Sequence, residues 1–334
     1  KCNMKLRSLL TTLIAFTCLC ASFAQNSGYR VIKTYKILSP GGWDYIAVHN
    51  GRLYVSHGTQ VNILNEQNGD SVSVIPNTTG VHGIAFIEPE GKGYTSNGRI
   101  NNITVFDLKT NRVLKQIPVG QNPDAIMYEP FSKKIITCNG RSQDLSMVDP
   151  VTEKVVATIP VGGKPETAVS DGEGKLYVNL EDKNRIAVVN LRTGKVESSW
   201  PLSAEGPTGL AIDKKTKRLF AGCDKFLVVM DATNGEVMKK LPIGDGCDGV
   251  AFDNNLKYIF ASCGEGKLSI IQELSGNNFK VIDNVQTKRS ARTIAIDEYT
   301  HEVFLPAADL QPAKKGERPQ IVPGTFQVLV MQKK

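Results

Sequence analysis

The stretch DAIMYEPFSKKIITCNGRSQDLSMVDPVTEKVVATIPVG, residues 124–162, decides the fold. It holds four short apolar runs, Asp124 to Tyr128, Ile135 to Cys138, Leu145 to Val148 and Val155 to Ile159, separated by polar turns such as Asp149-Pro-Val-Thr. Each run has the length of a strand, and none keeps a helical period. The same order recurs in both directions along the chain. First runs start at Asp44-Tyr-Ile, His82-Gly-Ile, Asp124-Ala-Ile, Glu166-Thr-Ala, Thr208-Gly-Leu, Asp248-Gly-Val and Arg292-Thr-Ile, in steps of 38, 42, 42, 42, 40 and 44 residues. A four-stranded unit repeated about every 40 residues is the pattern of a β-propeller. The expected fold is therefore all-β, with seven four-stranded blades.

The two ends complete the count. The seventh unit supplies a first strand (Thr293 to Ile296), a second (Val303 to Leu305) and a third (Phe326 to Met331), with no fourth after them. Tyr29 to Ile37 has the length and pattern of that missing strand. Pairing it into the last blade closes the ring and removes an open edge. One propeller domain over residues 25–334 then replaces the two domains that 334 residues suggest by length alone.

Residues 1–24 read as a signal peptide, with Lys1 to Asn3 an over-extended start. Met4-Lys-Leu-Arg is a basic n-region, Ser8 to Cys20 an apolar core too short to span a membrane, and Ser22-Phe-Ala a small-x-small cleavage site. An exported protein, periplasmic or extracellular, is expected. Loss of Lys1, Lys5 and Arg7 with the leader lowers the net charge from +7 to +4, with no basic block that would demand nucleic acid. With 41% hydrophobic residues the chain is not a disordered one.

The second strands read Leu53-Tyr-Val-Ser-His, Gly93-Tyr-Thr-Ser-Asn, Ile135-Ile-Thr-Cys-Asn and Leu176-Tyr-Val-Asn, and fourth strands end Ile117-Pro-Val-Gly, Ile159-Pro-Val-Gly and Leu241-Pro-Ile-Gly. This pattern resembles the YVTN-repeat (YncE-like) seven-bladed propellers over essentially the whole mature chain. The resemblance implies an exported binding or surface protein; related propellers include lactonases, and relatives can bind single-stranded nucleic acid. A WD40 array is not supported, because the chain has two Trp in all and Trp43-Asp44 opens a first strand. Leu191 to Trp200 resembles one Trp-docking repeat of quinoprotein dehydrogenases, and one copy in seven blades does not make a quinone enzyme.

Blade-to-blade register collects the first-strand starts into a ring around the channel mouth: Asp44, His82, Asp124, Glu166, Thr208, Asp248 and Arg292. Regular hairpin pairing would set a second ring opposite them, His57, Asn97, Asn139, Leu180, Cys223, Cys263 and Ala307. Asp44, His57, His82, Asp124, Glu166, Asp248 and Arg292 are thus the expected ligand-binding residues. Asp44, His57, His82 and Asp124 are borderline nitrogen and oxygen donors that could hold Ca²⁺, Zn²⁺ or Mn²⁺. Arg292 could clamp an anion, or balance the acids around it. A small polar or anionic ligand, or a protein partner, is the expected occupant. The enzymatic alternative is a lactonase-type hydrolase with His82 and Asp124 as base candidates. Single-stranded nucleic acid is disfavoured, since the ring carries four acids and the face offers chiefly Trp43 for stacking.

Four cysteines remain after the leader: Cys138, Cys223, Cys247 and Cys263. In an oxidising compartment Cys247 could pair with Cys223 or Cys263. Asp309 to Gly324 is a long Pro- and Lys-rich connection on the mouth face, where Lys314, Lys315 and Arg318 could form a lid or a partner contact. A monomer without a membrane span is expected.

Overall fold

The computed structural model describes residues 26–275, 277–313 and 319–334. The expected leader, residues 1–24, and Lys314, Lys315 and Arg318 lie outside them. The described chain forms seven four-stranded antiparallel sheets arranged as the blades of a propeller. Blade one consists of Trp43–His49, Arg52–His57, Gln60–Asn65 and Ser71–Ile75, from the axis outwards. Blades two to six repeat this meander, starting at Val81, Pro123, Pro165, Leu210 and Cys247. Blade seven is assembled from both ends of the chain: Ala295–Asp297, Glu302–Ala307 and Gln327–Lys333, with Tyr29–Lys36 as its outer strand. That outer strand pairs antiparallel with Gln327–Lys333, from Tyr29 opposite Lys333 to Lys36 opposite Gln327.

The turns explain the repeat's polar punctuation. At the end of third strands Asp107, Asp149, Asn190 and Asp231 accept hydrogen bonds from backbone N–H groups two or three residues on, for example Thr110 at 2.6 Å and Val151 at 2.8 Å. These Asx turns fix the reversal into the fourth strand.

The core lies between blades. The third residue of every second strand is large and apolar, Tyr54, Tyr94, Ile136, Tyr177, Phe220, Phe260 and Phe304, and each is buried. Phe220 packs with Phe252 and Ile259 of the next blade, and Phe260 with Val303 and Leu305 of the one after. Tyr177 also donates to the Ala232 carbonyl of blade five at 2.7 Å. Such contacts tie each blade to its neighbour, and burial of a side chain of this size is worth about 2–3 kcal/mol. At the axis the inner strands approach closely enough to need glycine: a Cβ on Gly209 would stand 2.6 Å from the Val250 nitrogen, and one on Gly249 2.8 Å from Ile294.

Candidate functional site

A bulge at the start of the inner strand builds the mouth. In blades one, two, three, four and six the pairing begins Trp43–His57, Val81–Asn97, Pro123–Asn139, Pro165–Leu180 and Cys247–Cys263, and the register then shifts. Asp44, His82, Asp124, Glu166 and Asp248 each follow the first paired residue and sit within the irregular segment. A bulge re-aims its extra side chain, here towards the channel. The Ser56 hydroxyl satisfies freed backbone groups, accepting from Asp44 N at 3.2 Å and donating to the Tyr45 carbonyl at 3.0 Å.

Five ring residues form one network. His82 Nδ1 lies 2.5 Å from Asp44 Oδ2 and 3.9 Å from Asp124 Oδ1. Arg292 donates through Nη1 to Asp44 Oδ1 at 3.1 Å and to Asp248 Oδ2, and through Nη2 to the Trp43 carbonyl at 2.9 Å. Glu166 stands apart from this network, 2.5 Å from Lys164, which also contacts Glu181. The remaining ring residue, Thr208, donates to the Cys247 carbonyl at 2.6 Å.

The electrostatics follow from burial. Enclosure and then the charge of Asp44 push the Asp124 carboxyl up to about 7, and enclosure and then Asp124 push Glu166 to about 9. Asp44 is itself enclosed, but its bonds to His82 and Arg292 hold it below the usual carboxylate range. His82 is raised by its bond to Asp44 and by the charge of Asp124, which outweigh desolvation. Asp124 receives no hydrogen bond among the described residues, although its side chain is only 14% exposed. His82 Nε2 likewise has no hydrogen-bond partner among them.

His57 does not join the site. It pairs with Trp43 in place of Asp44, is fully buried, shares hydrogen bonds with Ser39 Oγ at 2.7 Å and the Gly41 carbonyl at 2.9 Å, and stacks on Phe326. The rest of the expected second ring is also interior: Asn97 and Asn139 bond to Asn102 and Asp144 of their own third strands, and Leu180, Cys223, Cys263 and Ala307 are buried. All four cysteines are free and buried, so neither expected bridge to Cys247 is formed. Cys247 and Cys263 are nevertheless direct cross-strand partners. In the Asp309–Gly324 connection Leu310 and Ile321 form a bridge and Val322 N bonds to the Asp309 carbonyl at 2.8 Å.

One position beneath the mouth escaped the sequence reading. The residue after each ring member is Tyr45, Gly83, Ala125, Thr167, Gly209, Gly249 or Thr293, so six are small and one is large. Tyr45 and Thr167 line both of two small axial cavities, about 120 and about 50 Å³, and so stand between them. Burial and then the charges of Asp124, Asp44, Glu166 and Asp248 raise the Tyr45 hydroxyl well above its ordinary value. Tyr45 is thus a floor beneath the acids. Aligning the repeats one column further reveals it as the odd member. A larger cavity of about 670 Å³ opens between blades four and five, but Lys225 and Lys240 there are held by Asp245 and the Ser203 carbonyl. It lacks the ring's convergence.

Among solved structures, Hydrazine Synthase of Kuenenia stuttgartiensis is similar in fold, with a TM-score of 0.70 and 13% identity over 79% of this chain and 92% of that one. No protein-family model and no curated protein matches the chain. At that identity the likeness speaks to the propeller fold alone. No helix among the described residues is long and apolar enough to cross a membrane.

Proposed function

We propose that this chain is an exported binding module of the YVTN-repeat type whose ligand enters the channel mouth and presents a positively charged or hydrogen-donating group to Asp124. The observation that carries this reading is Asp124 itself, an enclosed carboxylate with no hydrogen-bond donor among the described residues. A carboxylate only 14% exposed has limited water to stand in for a donor, so an incoming donor group is favoured there. Arg292, by contrast, is engaged by Asp44, Asp248 and the Trp43 carbonyl. That engagement favours a polar, cationic ligand over the anionic one that a free guanidinium would clamp. The leader-like residues 4–24 support export.

Trp43 gives a direct test, since its carbonyl bonds Arg292 and Trp200 is the other indole in the chain. In a Trp200→Phe background, small amines and amino alcohols entering the mouth are expected to change Trp43 fluorescence and raise Tm, and Asp124→Asn is expected to abolish both. Absence of any response across the panel would defeat the reading. A lactonase-type hydrolase is the second reading, favoured by the Arg292–Asp44–His82 chain, which orients one imidazole nitrogen and leaves the other free. Turnover of simple lactones lost in His82→Ala would replace binding by catalysis.

A further inference from the structure

We propose that Asp44, His82 and Asp124 form the site of a divalent transition-metal ion, an inference that rests on the mouth being the ligand site. One donor atom from each residue lies within 4.8 Å of the other two. The three come from consecutive blades, each carried by the bulge that turns it towards the channel. A metal about 2.0–2.2 Å from nitrogen and oxygen donors needs those donors roughly 3–3.5 Å apart. The His82–Asp124 separation of 3.9 Å and the His82–Asp44 separation of 2.5 Å lie on either side of that spacing, so the metal would take the place of the proton that His82 and Asp44 share, with the side chains rotating to fit.

The surroundings are suited to such a site. Arg292 holds Asp44 by Oδ1 and leaves Oδ2 on the His82 side, while Asp248 and the Trp43 carbonyl fix the guanidinium. Support of this kind orients metal ligands. Asp124 receives no hydrogen bond among the described residues, so its oxygens are free to ligate. The choice of ion follows from the donors. One imidazole nitrogen with two carboxylates suits Zn²⁺ or Mn²⁺, whereas Ca²⁺ and Mg²⁺ prefer all-oxygen shells. The donor side chains are 14–26% exposed, so the ion can reach them from the mouth and would itself be the positive group that Asp124 receives. His57, with both ring nitrogens bonded, is not part of the set.

The test is titration of the full chain, stripped by chelator, with Zn²⁺ and separately with Mn²⁺. One Zn²⁺ per chain is expected by calorimetry, weakened at least tenfold in Asp124→Asn and in His82→Gln. Bound Mn²⁺ is expected to show ¹⁴N coupling in its pulsed electron paramagnetic resonance, retained in His49→Gln and lost in His82→Gln. Stoichiometric binding that neither mouth variant weakens, Ca²⁺ binding as tightly as Zn²⁺, or no binding of either transition metal overturns the inference. If the metals fail while amines still perturb Trp43 in stripped protein, the metal site falls and the binding module stands. If Trp43 also stays silent, both fall.

Discussion

At the residue scale the mouth is governed by an imbalance of charge. Asp44 and Asp248 are answered by Arg292 and Glu166 by Lys164, while among the described residues Asp124 has His82 at 3.9 Å as its ion-pair partner and the more distant charge of Lys164. The Asp124 carboxyl is held up to about 7 by burial and then by Asp44, against 3.8 in an open chain. Between those two values the folded state binds more protons than the unfolded one, so stability falls as pH rises from about 4 to about 7. Asp124→Asn removes this term. Measured by denaturant in the presence of chelator, the variant is expected to gain stability relative to the parent between pH 4 and pH 8. A difference that does not change with pH would contradict the enclosed, donor-free carboxylate.

At the element scale the blades are bound by what their second strands insert between neighbours. Gly93 breaks the apolar pattern of its strand, and the fold supplies the reason. A Cβ there would lie 2.1 Å from the Phe106 ring, which is fully buried and paired directly opposite. Gly93→Ala must displace that ring, and overpacking of this kind costs about 1–3 kcal/mol. The expected readout is a lowered midpoint of chemical unfolding with an unchanged denaturant slope. The same comparison across repeats shows where legibility stopped. Strand identity follows from local alternation and turn chemistry, so all four strands of residues 124–162 were readable, but the extra residue of a bulge leaves no local mark. His57 consequently appeared opposite Asp44 when it lies opposite Trp43, inside the wall. Tyr45, one residue beyond Asp44, looked like an ordinary strand residue until its six small counterparts were set beside it.

At the scale of the whole molecule, blade seven is the closure, and its outer strand comes from the far end of the sequence. Tyr35 of that strand also reaches across to blade one, donating to the Glu66 carbonyl at 2.9 Å and the Gln67 carbonyl at 2.8 Å. Deleting residues through Lys36 should therefore expose the Gln327–Lys333 edge and loosen the seam at once. Self-associated species on gel filtration and a broadened thermal transition are expected; a monomer that melts as sharply as the full chain would show that closure is dispensable. The sequence by itself determined the repeat, the strand order, the closing strand and the seven positions that ring the axis, because periodicity and turn residues are local properties. Tertiary structure alone decided which of those positions cooperate. Arg292 and Asp44 are 248 residues apart and meet only because the ring closes, and bulge geometry sends Asp44, His82 and Asp124 to the mouth while turning His57 into the core. Side-chain direction at a bulge, and the charges that face it, depend on register and closure, which no single blade's sequence contains.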